Sequence, residues 1–198
     1  MNKISYIIIG AIILLAVIAS FVYTQNEETS SYLYSNGLTT FNISIINEIE
    51  TKISFFLEND VQEYTLTVRN DPASLEDIPL YGNLYQRIPN DQAVVITIDP
   101  EQELEGKTIV AVYEIMNVLE SEVLYNKTVY TAVSREYEDK TVVTCDNAND
   151  DNTVIFVTLG EETQVYGYDY CIIVMGTSED ELIRAADRLA LHFVGIME

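Results

Sequence analysis

The run from Ile4 to Tyr23, ISYIIIGAIILLAVIASFVY, carries no charged side chain, and it constrains the whole chain. A helix rising about 1.5 Å per residue needs about 20 such residues to span a hydrocarbon core of about 30 Å. The segment is apolar all round, so a soluble domain offers no single surface on which to lay it. The expectation is a transmembrane helix over 4–23, with residues 1–23 as the membrane anchor. Lys3 and the amino terminus lie on one side and Glu27 and Glu28 on the other, which places the N terminus in the cytoplasm and the remainder outside. Tyr6, Phe21 and Tyr23 suit the two interfacial belts. Val17 and Ala19 also fit the small positions before a signal-peptide cut ahead of Ser20, and that alternative stays open. The apolar run continues past such a cut, which favours an anchor that is kept.

Charge is segregated in the same way. The 198 residues hold 32 acidic and 10 basic side chains, a net of -22, and no Asp or Glu precedes Glu27. Setting Lys3 aside leaves a net of -23 on everything after Tyr23. Such a surface repels phosphate backbones and excludes nucleic acid as a partner. Hydrophobic residues still make up 48% of the chain, with only 4 prolines, so the exported part can bury a core. Self-repulsion at this density predicts stabilisation by salt or bound cations.

Export gives meaning to two further features. Cys145 and Cys171 are even in number and lie in an oxidising compartment, which favours a disulfide over two buried thiols, the alternative. Two thiols and the single His192 are too few for a zinc site. Asn42-Ile43-Ser44 and Asn126-Lys127-Thr128 are candidate glycosylation acceptors, with chance occurrence in an Asn-rich chain as the alternative.

Residues 24–40 are polar and rich in Ser and Thr, and read as a stalk; residues 41–198 read as one acidic α/β domain. Ile45, Ile46, Ile49, Ile53, Phe56 and Leu57 fall at helical spacing and predict a helix over 43–58, capped by Asn42 or Ser44. Tyr64, Leu66 and Val68 alternate with polar residues as a half-buried strand. Residues 71–91 form a long connection bearing Tyr81 and Tyr85. The strand 93–98, helix 106–122 and strand 128–133 make a parallel unit with a crossover. Three strands over 153–175, separated by Gly turns, predict an antiparallel meander. A terminal helix begins after Gly176, with Ser178 and Glu181 as a capping box. It is expected to bury Leu182, Ala185, Ala186, Leu189, Phe193 and Met197, and to hold Glu179, Asp180, Arg184, Asp187 and Arg188 on its other sides. The fold class is therefore α/β: a mixed sheet with an antiparallel meander and packed helices, behind one N-terminal transmembrane helix.

Catalytic motifs are missing: there is no GxSxG, HExxH, P-loop or GxGxxG, and His192 sits near the end of a helix, at the rim of the core or in solvent. The expectation is a protein that is not an enzyme and needs no cofactor, with carboxylate-based hydrolysis unsupported. Asp146, Asn149, Asp150 and Asp151 offer oxygen ligands for Ca²⁺ beside Cys145, and Asp99, Glu101, Glu103 and Glu105 form a second acidic cluster. Neither has the EF-hand spacing, and turn chemistry explains Asp and Asn in such loops equally well. Gly176-Thr177-Ser178 lies at a helix start already supplied with acids, so an anion is unwelcome there.

Residues 144–197 contain Thr144-Cys145-Asp146, the strand Cys171-Ile172-Ile173-Val174, and Ala185-Ala186-Asp187-Arg188-Leu189 running through to Gly195-Ile196. In these marks the stretch resembles a C-terminal module of uncharacterised archaeal membrane-anchored envelope proteins with S-layer-like domains. The resemblance implies a cell-surface location and supplies no catalytic residues. Anchor, stalk and acidity together predict a single-pass envelope protein in the cell membrane, its exported domain meeting other envelope or surface-layer proteins, or itself. The alternative is an extracytoplasmic cation- or solute-binding domain, using loop 146–152 or a pocket at Tyr81 and Tyr85.

Overall fold

The computed structural model describes residues 30–198 apart from 58–59, 83, 85–87, 89–92 and 103–105. The predicted anchor at 4–23 lies outside these. Among the described residues no helix is long and apolar enough to cross a membrane.

The first half of the domain is a sheet where the sequence suggested a stalk and a helix. Strands β1 (Ser30–Ser35), β2 (Thr40–Asn47), β3 (Glu50–Phe56) and β4 (Glu63–Val68) pair antiparallel in chain order. Phe41 and Ile43, then Thr51, Ile53 and Phe55, are buried, while Asn42 and Lys52 between them are exposed. That is a period of two, and it overrides the helical spacing of Ile45 to Leu57, which arises only because a tight turn at Glu48-Ile49 separates two alternating strands. The Oδ1 of Asn47 accepts from the Ile49 N–H at 2.9 Å and closes this turn. Ile43, Ile53 and Leu66 stand in one row across three strands. β-Branched Thr and Ile suit this pleated surface better than a helix.

The second sheet has six strands in the order β5-β9-β10-β8-β6-β7, formed by β5 (Leu80–Tyr81), β6 (Ala93–Ile98), β7 (Thr128–Val133), β8 (Asn152–Leu159), β9 (Gln164–Tyr168) and β10 (Cys171–Gly176). β6 and β7 run parallel and are joined by helix α1 (Thr108–Glu120), as the sequence predicts. The meander expected over 153–175 is not formed. β10 inserts between β8 and β9, parallel to the first and antiparallel to the second. The cause lies in β8, whose run Thr153-Val154-Ile155 is buried throughout and therefore fits a central strand rather than a hairpin edge. At its end, Gly160 donates its N–H to the Gly176 carbonyl at 2.9 Å, and the chain crosses over the tip of β10 to reach β9.

Helix α2 (Glu179–Phe193) packs mainly on β10 and α1. Both helices lie on one face of the six-stranded sheet, and the four-stranded sheet covers their other side, so that residues of both sheets and both helices share one core. Leu182, Ala185, Ala186, Leu189 and Phe193 are buried as expected. Asp187 and Arg188, expected among the outer charges, are 0% and 6% exposed. The helix has two covered sides rather than one, because a sheet stands where the sequence suggested a helix.

The start of α2 is fixed locally. A Cβ on Gly176 would lie 2.3 Å from the Leu182 nitrogen, so the first helical turn can rest on the end of β10 only if that residue is glycine. Ser178 Oγ accepts from the Glu181 N–H at 3.2 Å. Glu179 Oε1 accepts from both the N–H and the Oγ1 of Thr108, at 2.8 Å each, and so caps the neighbouring helix α1. Ser178→Ala should lower stability by about 1 kcal/mol, read from a urea midpoint. An unchanged midpoint would show that the cap carries no stability.

The disulfide joins Cys145 to Cys171, 26 residues apart. It ties the connection between β7 and β8 to the first residue of β10.

Candidate functional site

The least expected chemistry lies where the two sheets meet the helices. β4 ends at Val68, and Asn70 then presents its backbone N–H and its Nδ2 to the Oδ2 of Asp187, both at 2.8 Å. Arg69 Nε stands 3.6 Å from Oε1 of Glu114, on α1. Among the described residues Asp187 Oδ1 has no hydrogen-bond partner. Burial, and then the negative charge of Glu114, push the Asp187 carboxyl up to about 8, against the lowering effect of Asn70 and Arg69. Burial likewise raises Glu114, partly offset by Arg69. Beside this cluster a groove of about 380 Å³ opens between β4 and α1, lined in part by Thr67, Arg69, Tyr113, Glu114 and Asn117. The arrangement can hold a proton at neutral pH and release it at mildly alkaline pH. It brings two carboxylates within electrostatic reach of each other and sets the Arg69 guanidinium beside one of them.

The sequence pointed elsewhere. In the loop after Cys145, the oxygens that would ligate a cation serve the loop itself: Asn147 Oδ1 accepts from the Thr144 N–H at 2.8 Å, and Asn149 Oδ1 from the Asp151 N–H at 2.9 Å. Asp146, Asp150 and Asp151 are exposed. Asp99 and Glu101 do come together, but around Arg135, whose guanidinium bonds Asp99 at 2.7 Å and also Glu101. One of their two charges is met by that guanidinium, and Glu103 and Glu105 lie outside the described residues. Among the described residues no group of three or more His, Cys, Asp or Glu side chains is placed to hold a metal ion.

Asn42 and Asn126 are both exposed, the first on β2 and the second in the connection to β7 with φ of 48°. Tyr81 is exposed on the edge strand β5, and Tyr85 lies outside the described residues. His192 is half-buried, its Nδ1 3.2 Å from the Met197 carbonyl, and burial lowers its pKa, so it adds little positive charge to the helix end at neutral pH. Sequence reasoning missed Arg69, Asn70, Glu114 and Asp187. The alternation in residues 40–56 was the available signal, since a second sheet there implies a second cover for α2.

In comparisons with known protein families, curated proteins and solved structures, nothing matches this chain.

Proposed function

We propose that the chain is a single-pass membrane-anchored envelope protein whose exported domain works by binding other proteins at or under a surface layer. The Cys145–Cys171 bond carries this reading, since a disulfide closing a long connection belongs to an oxidising compartment. The uncharged run at 4–23 supplies the anchor, and the net charge suits a saline or cation-rich exterior. An interaction role is supported by the outer face of the four-stranded sheet, turned away from the helices, where Leu33 and Phe56 are 73% and 62% exposed. No catalytic step is required by it.

The test is cross-linking on intact cells with a membrane-impermeant reagent, followed by capture through a C-terminal tag. The expected result is a recurring surface protein, reduced at least several-fold by Leu33→Lys with Phe56→Lys. Labelling that appears only after lysis would overturn the exported location, and recovery of the chain alone would replace partner binding by self-assembly.

A further inference from the structure

A second groove, of about 410 Å³, opens between α1 and β7, the strand at the end of the six-stranded sheet. Ile96, Ile98, Thr131 and Val133 line it from the sheet, and Ile109 and Val112 from the helix. Ile96 pairs with Thr131 and Ile98 with Val133, and the two-residue alternation puts all four side chains on one face. Ile109, in the first turn of α1, is 69% exposed although it borders this groove.

One polar group stands out at this site. Lys140, an exposed residue, is among those that line the groove. Lys52, Arg69, Lys107, Arg135 and Arg184 each have a carboxylate oxygen within ion-pair distance. Among the described residues Lys140 has none, although Glu138 and Asp139 directly precede it. In a chain of net charge -22 an ammonium without an acidic partner, set against an aliphatic groove, is complementary to one negative charge on an apolar body.

We infer that this groove binds a single-chain amphiphile with one anionic head group of the alkanoate type. The alkyl chain lies along Ile96, Ile109 and Val112, and the carboxylate meets Lys140. The volume falls within the usual range for small-molecule pockets, about 300–1,000 Å³. Each further methylene that enters the groove should tighten binding about fourfold until the groove is filled. A head group with several negative charges is disfavoured by the acidic surroundings. This site is independent of the protein-binding face proposed above.

The experiment uses the full chain in nanodiscs of zwitterionic lipid and a photoreactive twelve-carbon alkanoate, with labelled positions mapped by mass spectrometry. Saturable labelling is expected in the segments carrying Ile109–Val112 and Thr131–Lys140, displaced by dodecanoate at least tenfold more effectively than by dodecanol. Lys140→Glu should weaken it at least tenfold, and Lys140→Arg should preserve it. Thr131→Trp fills the groove from an exposed strand position and should abolish labelling with an unchanged circular dichroism spectrum. Labelling spread over the whole surface, equal displacement by dodecanol, or a Lys140→Glu variant that labels as well as the original chain would each overturn the inference.

Discussion

Asp187→Asn is expected to stabilise the protein by on the order of 5 kcal/mol at pH 9, with a gain that shrinks steadily as the pH falls towards 4. Below the ordinary carboxylate range Asp187 is protonated in both the folded and the unfolded chain and contributes no pH dependence. Between that range and its folded value of about 8 the native state holds a proton that the unfolded chain has lost. Stability therefore falls as pH rises through this window, and above about pH 8 the full cost of a buried carboxylate is present. Glu114, also raised, acts in the same direction. The asparagine variant keeps an oxygen that can accept both bonds from Asn70 and has no charge to bury. Urea unfolding at pH 5, 7 and 9 decides the matter. Parallel stability curves for the two proteins would mean that Asp187 does not hold its proton.

Removing the Cys145–Cys171 bond is the second large effect. Closing a loop of this separation restricts the unfolded chain by about 3.5 kcal/mol, and for a protein of this size each kcal/mol moves Tm by roughly 2–4 °C. The double variant Cys145→Ala, Cys171→Ala should melt about 10 °C lower than the oxidised protein. Dithiothreitol should reproduce most of that loss in the original chain and leave the variant unaffected. Equal melting of oxidised and reduced protein would show that the connection between β7 and β8 is held by its other contacts, such as the bond from Thr97 Oγ1 to the Val143 carbonyl at 2.8 Å.

The parts of the fold that could be read from the sequence are those whose signals are local. β6, α1 and β7 announce themselves by β-branched runs and helical spacing, and α2 by Ser178 and its apolar stripe. The two cysteines could be paired because the expected compartment left them few other roles. What was illegible depends on partners distant in sequence. Residues 43–58 satisfy both periods over a short window, and only pairing with β1 and β4 decides between them. The position of β10 between β8 and β9 is a choice among strand orders that periodicity does not encode. At Asp187 these distant pairings compound. A charged residue on the far side of an amphipathic helix is solvated by default, and here it is buried because an unrecognised sheet covers it. The candidate site was hidden for the same reason, since Asn70 and Asp187 are 117 residues apart.

The placement of α2 between the two sheets also has a consequence for biosynthesis. Every strand precedes this helix in the chain, and the four-stranded sheet, made of neighbouring hairpins, can assemble as soon as it is synthesised. Its inner face and that of the six-stranded sheet must then wait for Leu182 to Phe193 before either is sealed. Synthesis accordingly delivers a half-built sandwich with two open apolar surfaces, and the interval before α2 arrives is when the nascent chain is most exposed to misassembly and proteolysis.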